Sequence, residues 1–311
     1  MCGIGGILRM KDSAITDTQL ASLLLGLERR GNDAAGIALS YEDGTVLVHK
    51  APGSAFKLLD AQEYRDFLAA NLTDKVKIAL VHTRAKTCGS ERDNTNNHPL
   101  TAGKCAVVHN GIIGNHRELF AQLSLSRTAE TDSDILRAIL DQHGLTETGV
   151  EKLRVVHGTA ALAAVHPDYP NRVLLARSGN PLEIGVTDEF IFWASERSPI
   201  AHANRRWETQ HGIPAFKANR AVSFSQVPVD TAWLLDTEKG LVWHRPFTTA
   251  RYERRPFVCS DDYSRKMAKI IKHSRTCASC GQDSYISRKQ RKKPLWEIQC
   301  RYCQEQMARK P

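Results

Sequence analysis

Apolar positions along the first 244 residues alternate or run continuously in short stretches more often than they recur at helical spacing. CGIGGIL, AGIALSYE, GTVLVHKA, KIALVHTR and KCAVVHNGII read as strands, and Asp43-Gly44 between two of them is a hairpin signal. Helical periodicity is rarer. Asp17 to Glu28 sets its leucines at helical spacing and His116 to Leu125 is amphipathic. Thr131 or Asp132 caps a predicted helix running to about His143, where Gly144 stops it. Further strands are predicted at TAALAAVHP, RVLLAR, LEIGV, EFIFWAS, AVSFSQV and GLVWHR, separated by Pro, Gly, Asn and Asp turns. Strands in this number with interspersed helices predict an α+β fold of two packed antiparallel sheets with helices outside.

The pattern breaks at RPFTTARYERRPFV, rich in proline and arginine and poor in apolar periodicity. The predicted organisation is a large domain over 1–244, a basic linker over 245–275 that includes a short basic helix at DDYSRKMAKIIKH, and a small module over 276–311. No internal repeat is visible. At 311 residues and 41% hydrophobic the chain buries a sizeable core and is neither disordered nor fibrous. No stretch reaches the apolar length of a membrane span, and the N-terminus lacks a basic region followed by a signal-peptide apolar core. The expectation is a cytoplasmic protein with no membrane partner.

The net charge of +9 changes this picture because it is uneven: residues 245–311 hold 17 Lys/Arg against 6 Asp/Glu, leaving 26 against 28 before them. A basic tail on a balanced domain points to a polyanion partner, with a solvated basic surface as the simpler alternative. Within that tail lie CASC at 277–280 and CRYC at 300–303, two C-x-x-C pairs separated by 19 residues. Cys277, Cys280, Cys300 and Cys303 therefore read as a four-cysteine structural Zn2+ site, a zinc ribbon whose metal organises a module too small for much core. A redox pair is the alternative, disfavoured without a thioredoxin-like βαβ context. Between the pairs, the basic run Arg288 to Lys293 with Tyr285 and Trp296 nearby suits nucleic acid, although zinc ribbons also dock proteins.

Candidate chemistry begins at the first residues, MCGIGGIL. A small second residue lets the initiator methionine be trimmed, after which Cys2 carries both a thiol and an α-amine, a nucleophile with a base attached. Taken alone, Cys2 reads first as a small apolar residue opening a strand, and only the rest of the sequence can favour the nucleophile.

Six motifs decide between these readings. MCGIGG at the start, LERRGNDAAG at 27–36, HTRAKTCG at 82–89, NNHP at 96–99, VVHNGIIGNH at 107–116 and ETDSD at 130–134 resemble the glutaminase domain of class II glutamine amidotransferases, most of all the glucosamine-6-phosphate synthase branch. The likeness continues through GNPLEIG at 179–185 and FWASE at 192–196. It implies an N-terminal nucleophile (Ntn) hydrolase fold, an αββα sandwich, with Cys2 as the nucleophile. It further implies Asn110 and Gly111 as the oxyanion hole, the first through a side-chain amide and the second through a backbone N–H. Arg84 matches the arginine that binds the α-carboxylate of glutamine, and Asp132 the aspartate that helps bind its α-ammonium. Thr87 and His98 match further positions around the glutamine pocket, and Arg30 resembles the arginine that supports the N-terminal cysteine.

By this resemblance Cys2 attacks the glutamine carboxamide, the α-amine serves as base directly or through water, and water hydrolyses the resulting thioester. Two departures stand out. Ala85 replaces the aromatic residue that usually follows the arginine, and Cys88 stands where the synthase branch has histidine, so closure of the loop over glutamine is expected to be weak or to need a partner. Family members normally fuse the glutaminase to a synthase domain, and the roughly 65 residues of the tail fall below the size of an independent one. The expected partners are L-glutamine and an ammonia-using synthase acting in trans, with nucleotide or nucleic-acid base modification as the reading of the tail. The competing expectation is an inactive adaptor that uses the Ntn domain as a scaffold and binds nucleic acid or protein through its ribbon.

Overall fold

The computed structural model describes residues 1–210, 213–217, 222–249, 274–276 and 283–285. In chain order its elements begin with β1 (Gly3–Arg9), α1 (Asp17–Leu27), β2 (Ala34–Tyr41), β3 (Val46–Pro52), α2 (Ala55–Asp60), α3 (Gln62–Asn71) and β4 (Val76–Arg84). Next come β5 (Ala106–Ile113), α4 (His116–Gln122), α5 (Asp134–His143), α6 (Glu147–Leu153), β6 (Gly158–Val165) and β7 (Arg172–Ser178). They are followed by β8 (Glu183–Val186), β9 (Phe190–Ala194), α7 (Arg197–Ala203), β10 (Arg206–Gln210) and β11 (Ile213–Lys217). The last are β12 (Ser223–Gln226), β13 (Thr231–Asp236), β14 (Gly240–Pro246), β15 (Ser274–Thr276) and β16 (Asp283–Tyr285).

Two antiparallel sheets dominate. One has the order β12-β8-β9-β1-β4-β2-β3, the other β14-β13-β7-β6-β5. Their facing sides form a shared core in which Ile4 and Leu8 of β1, Ile78 and Leu80 of β4 and Trp193 of β9 meet Val108, Ala161, Ala163 and Leu175 of the second sheet. On its outer face the first sheet buries Ile7, Ile37 and Val81 against Leu20, Leu23, Leu24 and Leu27 of α1. The second sheet buries Val107, Leu162 and Leu174 against Ile135, Leu136 and Ile139 of α5. Helix, sheet, sheet, helix is thus the layer order, the α+β sandwich that the apolar pattern and the resemblance imply.

All seven residues of β1 are buried, because a strand covered on both faces has no position left for a solvated side chain. This places the segment GIGGILR at the centre of the sheet, between β4 and β9. A Cβ on Gly6 would stand 2.2 Å from Cζ2 of the Trp193 ring. Only hydrogen fits there, so Gly6 is the condition for burying the largest side chain of the shared core.

Several local expectations need correction. α5 begins at Asp134, later than a Thr131 or Asp132 cap would start it; its N-cap is Ser133, which makes no side-chain capping bond. Asp132 instead accepts the N–H of Ile113 with its carboxylate, at 2.6 Å. The stop at Gly144 holds, with φ of +67°. α4 ends at Gln122, short of Leu125. Helices α2 and α3, of six and ten residues, escape periodicity because α2 is under two turns and α3 fully buries only Tyr64. β13, an interior strand of the second sheet, also has no counterpart among the predicted elements.

The chain divides into two compact units, Met1–Glu253 and Arg254–Pro311. The first takes in the end of β14 and the buried Phe247, residues that the sequence pattern assigns to the linker. In the second, β15 and β16 pair antiparallel, with Ser274 opposite Tyr285. Cys259, the predicted helix in the linker and the four cysteines at 277, 280, 300 and 303 lie outside the described residues. Among the described residues no helix is long and apolar enough to cross a membrane, and no group of three or more His, Cys, Asp or Glu is placed to hold a metal ion.

Candidate active site

Cys2 immediately precedes β1, and the register of β1 carries it to one end of the sandwich. Gly3 stands opposite Thr83 on β4, so the residues just after Thr83 flank Cys2 on one side. The Cys2 Sγ reaches the Ala85 carbonyl at 3.6 Å. On the other side of β1 lies β9, whose chain continues into Glu196. Arg30, in the 3-10 turn Glu28–Arg30, ties these together: its Nε donates to the Cys2 carbonyl at 2.9 Å and its Nη1 pairs with Glu196 Oε1 at 3.0 Å. Glu196 also binds Arg29.

The thiol sits in a mixed field. Burial pushes it above its ordinary value and Asp132 adds to that, while the Met1 α-amine and the Arg84 guanidinium pull it down. The net direction is upward, so Cys2 rests as a thiol near neutral pH.

Arg84 ends β4 opposite Ala34 of β2 and is 2% exposed. Its Nη1 donates to Asn97 Oδ1 at 2.7 Å, and its Nη2 to the carbonyls of Cys88 and Gly89 at 2.5 and 3.1 Å. The guanidinium thus holds the loop 85–89 from inside. From outside, Asp33 Oδ2 accepts from the Lys86 N–H at 2.7 Å. Thr87 is half-buried on this loop.

Asn110 and Gly111 lie on β5, an edge strand of the second sheet, opposite Ala161 and Ala160 of β6. The Asn110 carbonyl accepts from Asn180 Nδ2 at 2.8 Å, while its own Nδ2 is buried without a hydrogen-bond partner. A buried donor left unpaired costs roughly 1–3 kcal/mol, a cost that is relieved when a ligand supplies the acceptor. Gly111 has no room for a side chain: a Cβ there would lie 1.9 Å from the Thr159 carbonyl. Asp132 is 2% exposed and fixed to the Ile113 N–H of the same strand.

Behind these groups is a layer of buried histidines. His98 stacks on His82 with ring centroids 4.3 Å apart, and neither ring nitrogen of His98 has a hydrogen-bond partner. His82 Nε2 faces the His109 carbonyl at 3.1 Å, bridging β4 and β5 across the two sheets. Burial drives both rings down, His82 to about 3 and His98 well below its ordinary value, and Arg84 and Lys50 reinforce the shift, so both are neutral near pH 7.

Arg30 and the loop after Arg84 thus flank Cys2, the fields of Arg84 and Asp132 both reach its thiol, and Asp132 is bonded to β5, the strand that carries Asn110 and Gly111, with Thr87 on the bordering loop and His98 stacked on His82. Sequence reasoning misses Glu196, Asn97 and Asn180, which orient Arg30, Arg84 and Asn110. All three fall inside stretches that carry the resemblance, FWASE, NNHP and GNPLEIG; only their contacts reveal what they hold.

A cysteine at position 2 at the head of a central strand, an Asn-Gly pair on β5 of the second sheet and a four-layer sandwich point to a class. Residues 82–202 match the family described as a glutamine amidotransferase domain. The chain carries a class II glutamine amidotransferase domain, the domain of enzymes that hydrolyse glutamine with an N-terminal cysteine nucleophile. Among curated relatives it is similar to glutamine–fructose-6-phosphate aminotransferase (isomerizing) of Acinetobacter baylyi, 34% identical over 219 residues covering 67% of this chain and 33% of the relative. The enzyme of the same description from Aquifex aeolicus is 34% identical over 207 residues, covering 63% of this chain and 32% of the relative. The chain spans about a third of the length of these relatives. Among solved structures, glutamine phosphoribosylpyrophosphate amidotransferase from B. subtilis, complexed with ADP and GMP, shares the fold at a TM-score of 0.56 and 20% identity, over 79% of this chain and 49% of its own.

Proposed function

We propose that this domain hydrolyses L-glutamine to glutamate and ammonia through a thioester on Cys2. The observation that carries the reading is the buried, unpartnered Nδ2 of Asn110, a donor set aside at the site that Cys2, Arg84 and Asp132 share. With Met1 removed, the α-amine belongs to Cys2 and takes the thiol proton. The sulfur then bonds to the carboxamide carbon, and the oxygen gathers negative charge against Asn110 Nδ2 and the Gly111 N–H. The C–N bond breaks as the amine returns its proton to the leaving ammonia. Water adds to the thioester, its proton passes to the amine, and cleavage of the S–C bond frees glutamate and restores the thiol. Arg84 and Asp132 hold the α-carboxylate and α-ammonium, Thr87 and His98 border the pocket, and Arg30 fixes the Cys2 backbone.

The ammonia acceptor we assign to a partner enzyme in the cytosol, a reading supported by the basic, cysteine-paired sequence that follows the domain. Cys277, Cys280, Cys300 and Cys303 form a donor set of four thiolates that suits one structural Zn2+, and the pairing of β15 with β16 brackets Cys277 and Cys280 in sequence. The charge of the tail favours nucleotide or nucleic-acid amidation. The test is the intact mass of untagged protein before and after incubation with 6-diazo-5-oxo-L-norleucine, a glutamine mimic, beside Cys2→Ala. Loss of Met1 and a single adduct absent from the variant is the expected result. Retained Met1, or no adduct in the processed protein, overturns the reading and leaves an adaptor.

A further inference from the structure

One buried imidazole next to the oxyanion donors takes no part in the chemistry above. His109 directly precedes Asn110 on β5 and is 1% exposed. Its Nδ1 lies 2.8 Å from Ser133 Oγ, and its carbonyl faces His82 Nε2 at 3.1 Å. Side chains two apart on a strand share a face, and the ring follows that rule: its Nε2 stands 2.6 Å from where a Cβ on Gly111 would sit. The imidazole and the nearer Thr159 carbonyl, 1.9 Å from that point, together fill the space that the missing Gly111 side chain leaves. Two residues beyond Gly111, the Ile113 N–H donates to Asp132 Oδ2 at 2.6 Å. The Asp132–Ser133 turn is therefore pinned to β5 at two points, His109 and Ile113, and Asn110 and Gly111 lie between them.

We propose that His109, acting through Ser133, is a positioning residue that sets the distance between the Asn110–Gly111 donors and Asp132. The inference rests on the glutamine-hydrolysis reading and deepens it. The two pinned ends would grip the carboxamide oxygen and the α-ammonium of one substrate, so the pair works as a length gauge. Asparagine, one methylene shorter, cannot satisfy both ends when the gauge is stiff. No other contact of Ser133 is needed for this role, since α5 takes no side-chain cap from it.

The test uses the full chain with His109→Asn, His109→Leu, Ser133→Ala and the double variant His109→Leu/Ser133→Ala. Asparagine at 109 carries a polar atom where Nδ1 stands and can rebuild the bond to Ser133. Ser133→Ala and His109→Leu should each lower kcat for glutamine about tenfold, with KM changed less than about twofold, and the double variant should be no slower than the slower single. The preference for glutamine over asparagine should fall in both and recover in His109→Asn. In 1H–15N spectra the Gly111 amide and Asn110 side-chain signals should move in Ser133→Ala, a change small enough to leave folding intact. Additive losses, an unchanged glutamine preference or unmoved Gly111 and Asn110 signals would overturn the proposal. Wild-type protein that hydrolyses no glutamine defeats the functional reading instead, and the spectra then judge the gauge by themselves.

Discussion

Arg30 donates to the Cys2 carbonyl at 2.9 Å while the same guanidinium is braced by Glu196 at 3.0 Å. The bond reaches the backbone of the nucleophile and leaves its sulfur untouched. Its effect is geometric: it fixes the backbone at the second residue, where a terminus would otherwise fray and where the proposed nucleophile sits.

Arg30→Lys removes the planar fork that serves Cys2 and Glu196 together. The expected outcome is labelling of Cys2 by the glutamine mimic slowed by about tenfold, with thermal unfolding shifted little. Glu196→Gln should slow labelling less, because it keeps an acceptor for Arg30. Time courses of adduct formation by mass spectrometry measure both, and equal rates in all three proteins would refute the role.

Asn110→Ala removes a side-chain donor that no protein group uses. Glutamine turnover should drop by about 100-fold or more, the range for losing one oxyanion donor, while the unfolding midpoint stays close to wild type. Steady-state rates paired with calorimetry read the two effects, and a loss of stability matching the loss of rate would argue for a structural role.

Gly6→Ala forces a methyl against the Trp193 ring, 2.2 Å from the nearest carbon. Neither partner can yield at the centre of β1 and β9, so a cost of about 1–3 kcal/mol or more is expected from overpacking. Urea unfolding checks it, with a lower midpoint at unchanged slope as the predicted signature.

His82 and His98 make the domain acid-sensitive. Unfolded, each ring takes a proton near pH 6.5, whereas folded His82 resists protonation down to about pH 3 and His98 is also pushed well down. The unfolded state therefore binds more protons across that window, and stability falls as pH drops from about 6.5 toward 3, by ~1.4 kcal/mol per pH unit for each neutral ring. His82→Gln should flatten the slope by about that amount in denaturant titrations run from pH 7 to pH 4. An unchanged slope would mean that the ring is already protonated in the folded protein.

Much of the site is legible in the chain because its chemistry is local in sequence. Asn110 and Gly111 are neighbours on one strand, and HTR places Arg84 at the end of another. Asp132 is legible as a site residue but not in its local role: sequence offers it as a helix cap, and only the approach of β5 shows its carboxylate bonded to Ile113. The short helices α2 and α3 and the strand β13 stay hidden for a related reason. α2 holds fewer than two turns, α3 fully buries only Tyr64, and the apolar run inside TAWLLD is too short for its period to tell strand from helix, so burial against neighbours supplies what propensity does not.

By itself the sequence determined the class of fold and the set of reactive groups, since strand alternation, turn residues and motif order are properties of contiguous chain. Tertiary structure alone decided which of those groups support one another. Arg30 meets Glu196 across 166 positions, and Asn180 reaches the Asn110 carbonyl across 70. Hydrogen bonds of that span depend on how β1 registers against β4 and β9 and on how two sheets stack, and register and stacking are settled only when the apolar faces of distant segments are buried together.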